Sequence, residues 1–254
     1  MMRIDDMKII EHQSIAANTF RLVLEGDLVN EISAPGQFVH VQTGSEAHLL
    51  RRPISISEFN QETKQCTLIY RAGGEGTKLL SKKQAGDKLN VLGPLGNGYS
   101  LPEQASSCLI VGGGIGVPPL YELSKQLTGA GHHVTHVLGF QNKEAVFLKG
   151  EFSELGLTFI ATDDGTEGQK GYVTDVIEQL NTAFDIVYAC GPTPMLRALQ
   201  SRITNIPLFI SLEERMGCGI GACFACVVKQ TGNEQNYYKI CCDGPVFAAK
   251  EVVI

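Results

Sequence analysis

Cys218, Cys223, Cys226 and Cys241 recur as C-x4-C-x2-C-x14-C, the thiolate spacing of plant-type [2Fe-2S] clusters. Four thiolates in that order hold two irons, and such a centre passes electrons one at a time. Gly217, Gly219 and Gly221 are interleaved with the first thiols. An anionic inorganic core needs backbone N–H groups turned toward its sulfurs, and the close approach uses positive φ angles that glycine tolerates best. A structural zinc site, disulfides or buried thiols would draw on the same residue type. The spacing is asymmetric, with no histidine nearby, unlike zinc knuckles built from repeated C-x2-C or His pairs. Cys242 adjoins Cys241, so spacing alone leaves either as the fourth ligand.

Two further segments point to phosphate-bearing ligands. Gly112-Gly113-Gly114-Ile115-Gly116-Val117 follows an apolar stretch and precedes a helical one, as a dinucleotide-binding turn does. Val117 takes the third glycine position of G-x-G-x-x-G, and no Gly-Lys-Ser/Thr follows, which argues against ATP chemistry. Cys190-Gly191-Pro192 ends a second apolar strand, where the carboxyl edge of a parallel sheet places ligands. Beyond the third strand, Asp163 and Asp164 would repel a 2′-phosphate and accept from a ribose diol, favouring NAD over NADP. An exposed Asp-Gly turn has the same composition.

Nearer the N-terminus, Arg52 precedes Pro53, Ile54 and Ser55, offering a cation and a hydroxyl to a pyrophosphate and a flavin ring. Tyr70-Arg71 leads through glycines into Gly76-Thr77, a turn that delivers a helix N-terminus suited to an anion. A surface cation and a plain hairpin would look alike.

These segments need elements to hold them. Short β-rich stretches at 8–13, 19–25, 37–42, 54–57, 66–71 and 88–92 predict a small antiparallel barrel, broken by one helix starting near Thr77. Strands at 108–111, 134–139, 158–161, 186–189 and 208–211 alternate with helices, which predicts a parallel, doubly wound sheet. The domains then run 1–100, 101–212 and 213–254, the last being the cysteine module. The fold class is multi-domain: antiparallel β-barrel, α/β parallel-sheet domain and small C-terminal cluster module. His132, His133 and His136 read as a solvated strand entry, because alternation sends neighbours to opposite faces. Cys66 and Cys108 read as small core residues.

At 254 residues and 43% hydrophobic, the chain can bury more than one core. A net charge of -6 without Lys/Arg runs argues against nucleic acid or an anionic membrane as partner. No apolar stretch is long enough to span a bilayer, and eight cysteines suit ligands in a reducing cytoplasm.

Arg52-Pro53-Ile54-Ser55, Gly76-Thr77, the turn at Val111 to Gly116 and Cys190-Gly191-Pro192 together resemble the ferredoxin reductase family of flavoproteins. The module ending Cys241-Cys242-Asp243-Gly244-Pro245-Val246-Phe247 resembles one branch of it, the electron-transfer subunits of type B (NAD-dependent) dihydroorotate dehydrogenase, over nearly the whole chain. The resemblance implies FAD held by Arg52, Pro53, Ile54, Ser55, Ile69, Tyr70, Arg71, Gly76 and Thr77. It implies NAD(H) at Gly112, Gly113, Gly114, Gly116, Asp163 and the Cys190-Gly191-Pro192 turn near the nicotinamide. It favours Cys241 over Cys242 beside Cys218, Cys223 and Cys226 for the [2Fe-2S] cluster. The implied partner is an FMN-containing catalytic subunit that oxidises dihydroorotate to orotate in pyrimidine biosynthesis, in a heterotetramer of two copies each, with NAD as final acceptor. A subunit of a hydrogenase or ferredoxin-NADP transhydrogenase would use the same modules. A zinc-bearing nucleotide sensor is the non-catalytic alternative.

Overall fold

The computed structural model describes residues 1–44, 49–104 and 106–254, without the side chain of residue 234. β1 (Arg3–Ala16), β2 (Thr19–Glu25), β3 (Phe38–Val41), β4 (Arg52–Asn60), β5 (Gln65–Arg71) and β6 (Lys88–Leu95) close a barrel in the order β1-β2-β5-β4-β3-β6, with α1 (Glu75–Leu80) joining β5 to β6 along the chain. Met7, Ile9, Leu22, Leu24, Val39, Val41, Ile54, Ile56 and Leu68 share one core, as alternate residues turned inward do. β1 runs well past the predicted 8–13, and a register irregularity between Ile9 and Glu11 lets it bend. β4 starts at Arg52, so the Arg-Pro-Ile-Ser segment is strand from its first residue.

The second body holds β7 (Ser107–Gly113), α2 (Tyr121–Gly129), β8 (His133–Phe140), α3 (Lys149–Leu155), β9 (Leu157–Thr162), β10 (Gln169–Lys170), α4 (Val173–Gln179), β11 (Ile186–Cys190), α5 (Thr193–Arg202) and β12 (Leu208–Ser211). Its sheet order is β10-β9-β8-β7-β11-β12 and continues to a seventh strand. The chain steps from β7 outward through β8 and β9, then crosses back to place β11 on the other side of β7. The carboxyl ends of β7 and β11 therefore form the switch point at which such sheets bind ligands.

β13 (Val227–Gln230), β14 (Asn233–Lys239), β15 (Val246–Ala248) and β16 (Val252–Val253) complete the chain. β14-β13-β16 make a small sheet, but β15 pairs antiparallel with β12 and becomes the seventh strand. The cysteine-bearing segment thus lends a strand to the edge of the parallel sheet. Val228, Ile240, Cys241 and Phe247 share a core with Leu109, Val187 and Ile210 of that sheet and with Phe38 and Leu95 of the barrel. The Asn97 side-chain amide adds a stitch, donating to the carbonyls of Cys242 (3.0 Å) and Asp243 (3.1 Å).

Only His133 of the histidine group is exposed. His136 is fully buried, bonded through Nε2 to Ser124 Oγ (2.7 Å) and through Nδ1 to Thr158 Oγ1 (2.9 Å). His132 is buried too, and its Nδ1 accepts from the Ser106 amide at 3.2 Å. The expected solvated entry fails because two hydroxyls supply the partners that water would have supplied.

Candidate functional site

Two clefts open between the barrel and the sheet. The first, about 470 Å³, is lined on the barrel side by Pro53, Ile54, Ser55, Ile69, Tyr70, Arg71 and Thr77. Its opposite wall is Ile115 and the segment Ser211 to Met216. Arg52 and Gly76 pack on one another beside it: a Cβ on Gly76 would lie 2.3 Å from Arg52 Nε, so only glycine lets the guanidinium rest against the start of α1. Arg52 also donates to the carbonyl of Leu50. Thr77 Oγ1 accepts from the Gly74 amide at 3.1 Å and closes the first turn of the helix.

Tyr70 is held in place from behind. His12 Nδ1 lies 2.7 Å from the Lys83 carbonyl, which can only accept, so Nδ1 carries the proton. In the neutral ring Nε2 is then the acceptor, and the Tyr70 hydroxyl donates to it at 2.8 Å. Phe20 stacks on the Tyr70 ring at 5.8 Å, and burial raises the phenol pKa well above its ordinary value.

The second cleft, about 650 Å³, lies at the switch point. Gly113, Gly114 and Gly116 from the end of β7, Asp163 from the end of β9, and Gly191 and Pro192 from the end of β11 line it. The glycine turns are in direct contact: a Cβ on Gly116 would sit 2.5 Å from the Cys190 carbonyl carbon, and one on Gly191 would meet Gly113 at 3.0 Å. Gly112 lies behind the wall against Val117. Cys190 is likewise fully buried, its thiol pKa pushed well up by desolvation and by the Glu213 carboxylate. Asp163 stands exposed on the wall. Asp164 points its carboxylate at the Thr166 hydroxyl (2.7 Å) and amide (3.0 Å), contacts that lower its pKa.

Arg71, Ile115 and Glu213 line both clefts, so the two adjoin. Ile115 and Glu213 were not singled out from the sequence. Glu213 follows Ser211-Leu212 at the end of β12, and the strand-end rule that selected Cys190 would have selected it too. Glu213 is exposed to solvent on one side, and the protein packed around the rest of its side chain raises its carboxyl pKa by desolvation.

The four thiols stand as two pairs. Cys218 Sγ accepts the amides of Cys223 (3.3 Å) and Ile220 (3.4 Å), around Gly219 and Gly221 at φ 73° and 79°. Desolvation opposes ionisation of Cys218, yet these donated N–H groups bring its pKa down to about 7. Cys226 and Cys241 are both buried. Burial pushes Cys226 up to about 11 and raises Cys241 as well. Cys242 is exposed, its Sγ 3.7 Å from that of Cys241. Among the described residues no three His, Cys, Asp or Glu side chains close on a single point. Two thiol pairs, one sheathed in amide donors, match the donor set of a two-iron centre.

One residue absent from the sequence reading lies against this loop. His40 on β3 is fully buried, and a Cβ on Gly219 would meet its Nδ1 and Cε1 at 2.7 Å. Desolvation, then the nearby Arg51, push its pKa down to about 4.

Residues 213–253 match the iron-sulfur cluster binding domain of dihydroorotate dehydrogenase B, and residues 110–201 match the oxidoreductase NAD-binding domain. The dihydroorotate dehydrogenase B (NAD(+)) electron transfer subunit of Geobacillus sp. (strain WCH70) is 56% identical over 257 residues, covering 100% of both chains. The chain belongs to this family of electron transfer subunits. The Bacillus caldolyticus subunit of the same name is also 56% identical, over 98% of both chains. Among solved structures, an NADH-dependent reduced ferredoxin-NADP oxidoreductase studied for flavin-based electron bifurcation superposes with TM-score 0.88 at 32% identity, over 97% of this chain and 89% of that one. The flavohem-like FAD/NAD binding domain of a Vibrio cholerae nitric oxide dioxygenase, 18% identical with TM-score 0.63 over 78% of this chain and 92% of that one, shares the fold. The family's iron-sulfur and NAD-binding domains thus coincide with the paired thiols and the switch-point cleft. Among the described residues no helix is long and apolar enough to cross a membrane.

Proposed function

We propose that the chain passes electrons between NAD(H), FAD and a [2Fe-2S] cluster, to and from an FMN-bearing catalytic subunit that oxidises dihydroorotate to orotate in cytoplasmic pyrimidine biosynthesis, with NAD as final acceptor. The observation that carries this reading is that Arg71, Ile115 and Glu213 line both clefts, which therefore adjoin. A nicotinamide in one and a flavin ring in the other would meet there. Bound flavin supplies the conversion between two-electron and one-electron transfer.

Residues 1–100 form the flavin unit, 101–212 the nucleotide unit and 213–254 the cluster unit. Arg52, resting on Gly76, neutralises the pyrophosphate, and the first turn of α1 at Thr77 offers its amides. Pro53, Ile54, Ser55, Ile69, Tyr70 and Arg71 position the ring. Gly113, Gly114 and Gly116 let the backbone approach the dinucleotide phosphates, over Gly112 packed behind them. Asp163 accepts from the adenosine ribose and repels a 2′-phosphate. Gly191 and Pro192, backed by the buried Cys190, shape the nicotinamide end. Cys218, Cys223, Cys226 and Cys241 ligate the cluster, the buried Cys241 facing Cys226 while Cys242 faces solvent.

Phe224 and Ile220 on the cluster loop are 71% and 47% exposed, an apolar edge suited to a catalytic subunit in a heterotetramer of two copies each. The 56% identity to dihydroorotate dehydrogenase subunits, against 32% to the ferredoxin-NADP oxidoreductase, favours this partner over a transhydrogenase. The deciding experiment is the visible spectrum of anaerobically purified protein before and after NADH, with iron and acid-labile sulfide assayed on the same sample. Flavin and cluster bands bleached by NADH are expected. Absence of iron, or bleaching by NADPH alone, would overturn the reading.

A further inference from the structure

His40 sits two residues beyond Phe38 on β3, so both side chains leave the barrel on one face. Phe38 lines the first cleft, and His40 reaches the loop that carries Cys218 and Cys223. The two rings meet edge-on at 6.0 Å. One short strand thereby spans the distance from the flavin cleft to the thiols.

His40 is 0% exposed, yet among the described residues neither Nδ1 nor Nε2 has a hydrogen-bond partner. Any imidazole carries at least one N–H, and leaving it unpaired away from water forfeits its whole hydration. Native buried polar atoms are nearly always paired, so an exception calls for a ligand. The side chain's surroundings narrow the choice. The Nδ1–Cε1 edge faces Gly219, whose missing Cβ and φ of 73° are what allow the ring to come this close. The adjoining residue is Cys218, whose sulfur already draws in two amide donors. A sulfur-rich anionic centre is the acceptor that such a donor fits.

We propose that His40 donates its ring N–H to a sulfur on the Cys218–Cys223 side of the iron-sulfur cluster, and so raises the cluster's reduction potential from the flavin side. This rests on the cluster reading above. A donor favours the more negative, reduced cluster over the oxidised one, which is how hydrogen bonds to sulfur tune such centres.

The test uses the purified, cluster-loaded chain with ¹⁵N-labelled histidine. Pulsed EPR of the reduced protein should show ¹⁵N coupling to the cluster, lost in His40→Phe and in His40→Gln. At a fixed ambient potential the reduced-to-oxidised ratio of the cluster should fall about three- to tenfold in His40→Phe. His40→Gln, which retains an N–H, should recover part of it, and the flavin potential should not move in either variant. A wild-type spectrum without histidine coupling, on protein with full iron and sulfide, would overturn the proposal and leave the cluster standing. Wild-type protein without iron or sulfide would overturn both. Should His40→Phe fail to fold, the wild-type and His40→Gln spectra still decide.

Discussion

Gly116 and Cys190 are locked backbone to backbone: a Cβ on Gly116 would lie 2.5 Å from the carbonyl carbon and oxygen of Cys190. Two loops from strands 74 positions apart are thus one rigid wall. Gly116→Ala must push them apart, at a cost of about 1–3 kcal/mol. The expected result is a lower Tm together with NADH binding weakened about tenfold or more, read by anaerobic titration of the flavin absorbance. An unchanged Tm and titration midpoint would mean that the loops move independently.

Cys241→Ser should abolish the cluster, whereas Cys242→Ser should leave iron and sulfide content intact. Cys241 is buried, as Cys226 is, while Cys242 is exposed. Metal analysis of the two purified variants checks this, and loss of iron in the Cys242 variant would reassign the ligand.

Asp163→Ser removes the carboxylate that lines the switch-point cleft at this turn, while its neighbour Asp164 is engaged by Thr166. The preference for NADH over NADPH should narrow by about tenfold, equivalent to roughly 1.4 kcal/mol of relieved repulsion. Comparing kcat/KM for the two nucleotides gives the answer, and an unaltered ratio would place the ribose elsewhere.

His136 is buried between Ser124 and Thr158, and desolvation lowers its pKa from 6.5 to about 4. The unfolded ring therefore binds a proton that the folded ring refuses between those values. Stability from this site is complete above pH 6.5 and is lost as pH falls toward 4. About 2 kcal/mol should disappear between pH 7 and pH 5 in urea unfolding, at 1.36 kcal/mol per unit over roughly 1.5 units. In His136→Gln that part of the slope should vanish, and an identical slope would locate the acid sensitivity elsewhere.

His12→Phe should strand the Tyr70 hydroxyl, whose acceptor is His12 Nε2. Orphaning a buried hydroxyl costs about 1–3 kcal/mol. The variant is expected to melt earlier and to lose flavin faster on gel filtration, since Tyr70 lines the first cleft. Wild-type flavin retention would show that the phenol needs no such support.

The glycine turns were legible because their chemistry is local: a strand, then residues without side chains where backbone must approach a ligand. Their mutual contact was not, since nothing at Gly116 announces that Cys190 is its neighbour. The thiol set was legible from spacing, whereas His40 sits in a plain strand pattern and gains its meaning only from Gly219, which lies 179 positions away. His136 misled for a similar reason. A histidine that closely follows two others reads as surface until Ser124 and Thr158 arrive from separate elements. β15 hid because three residues carry too little periodicity to announce a strand.

With β15 as the outermost strand beside β12, the iron-bearing segment doubles as the sheet's selvedge. It hides hydrogen-bonding groups that would otherwise invite a neighbour's backbone. A cluster held by this segment would lack the swinging travel of a tethered carrier. Electrons passing through such a centre would cross a gap set by the fold, with no arm to wait for.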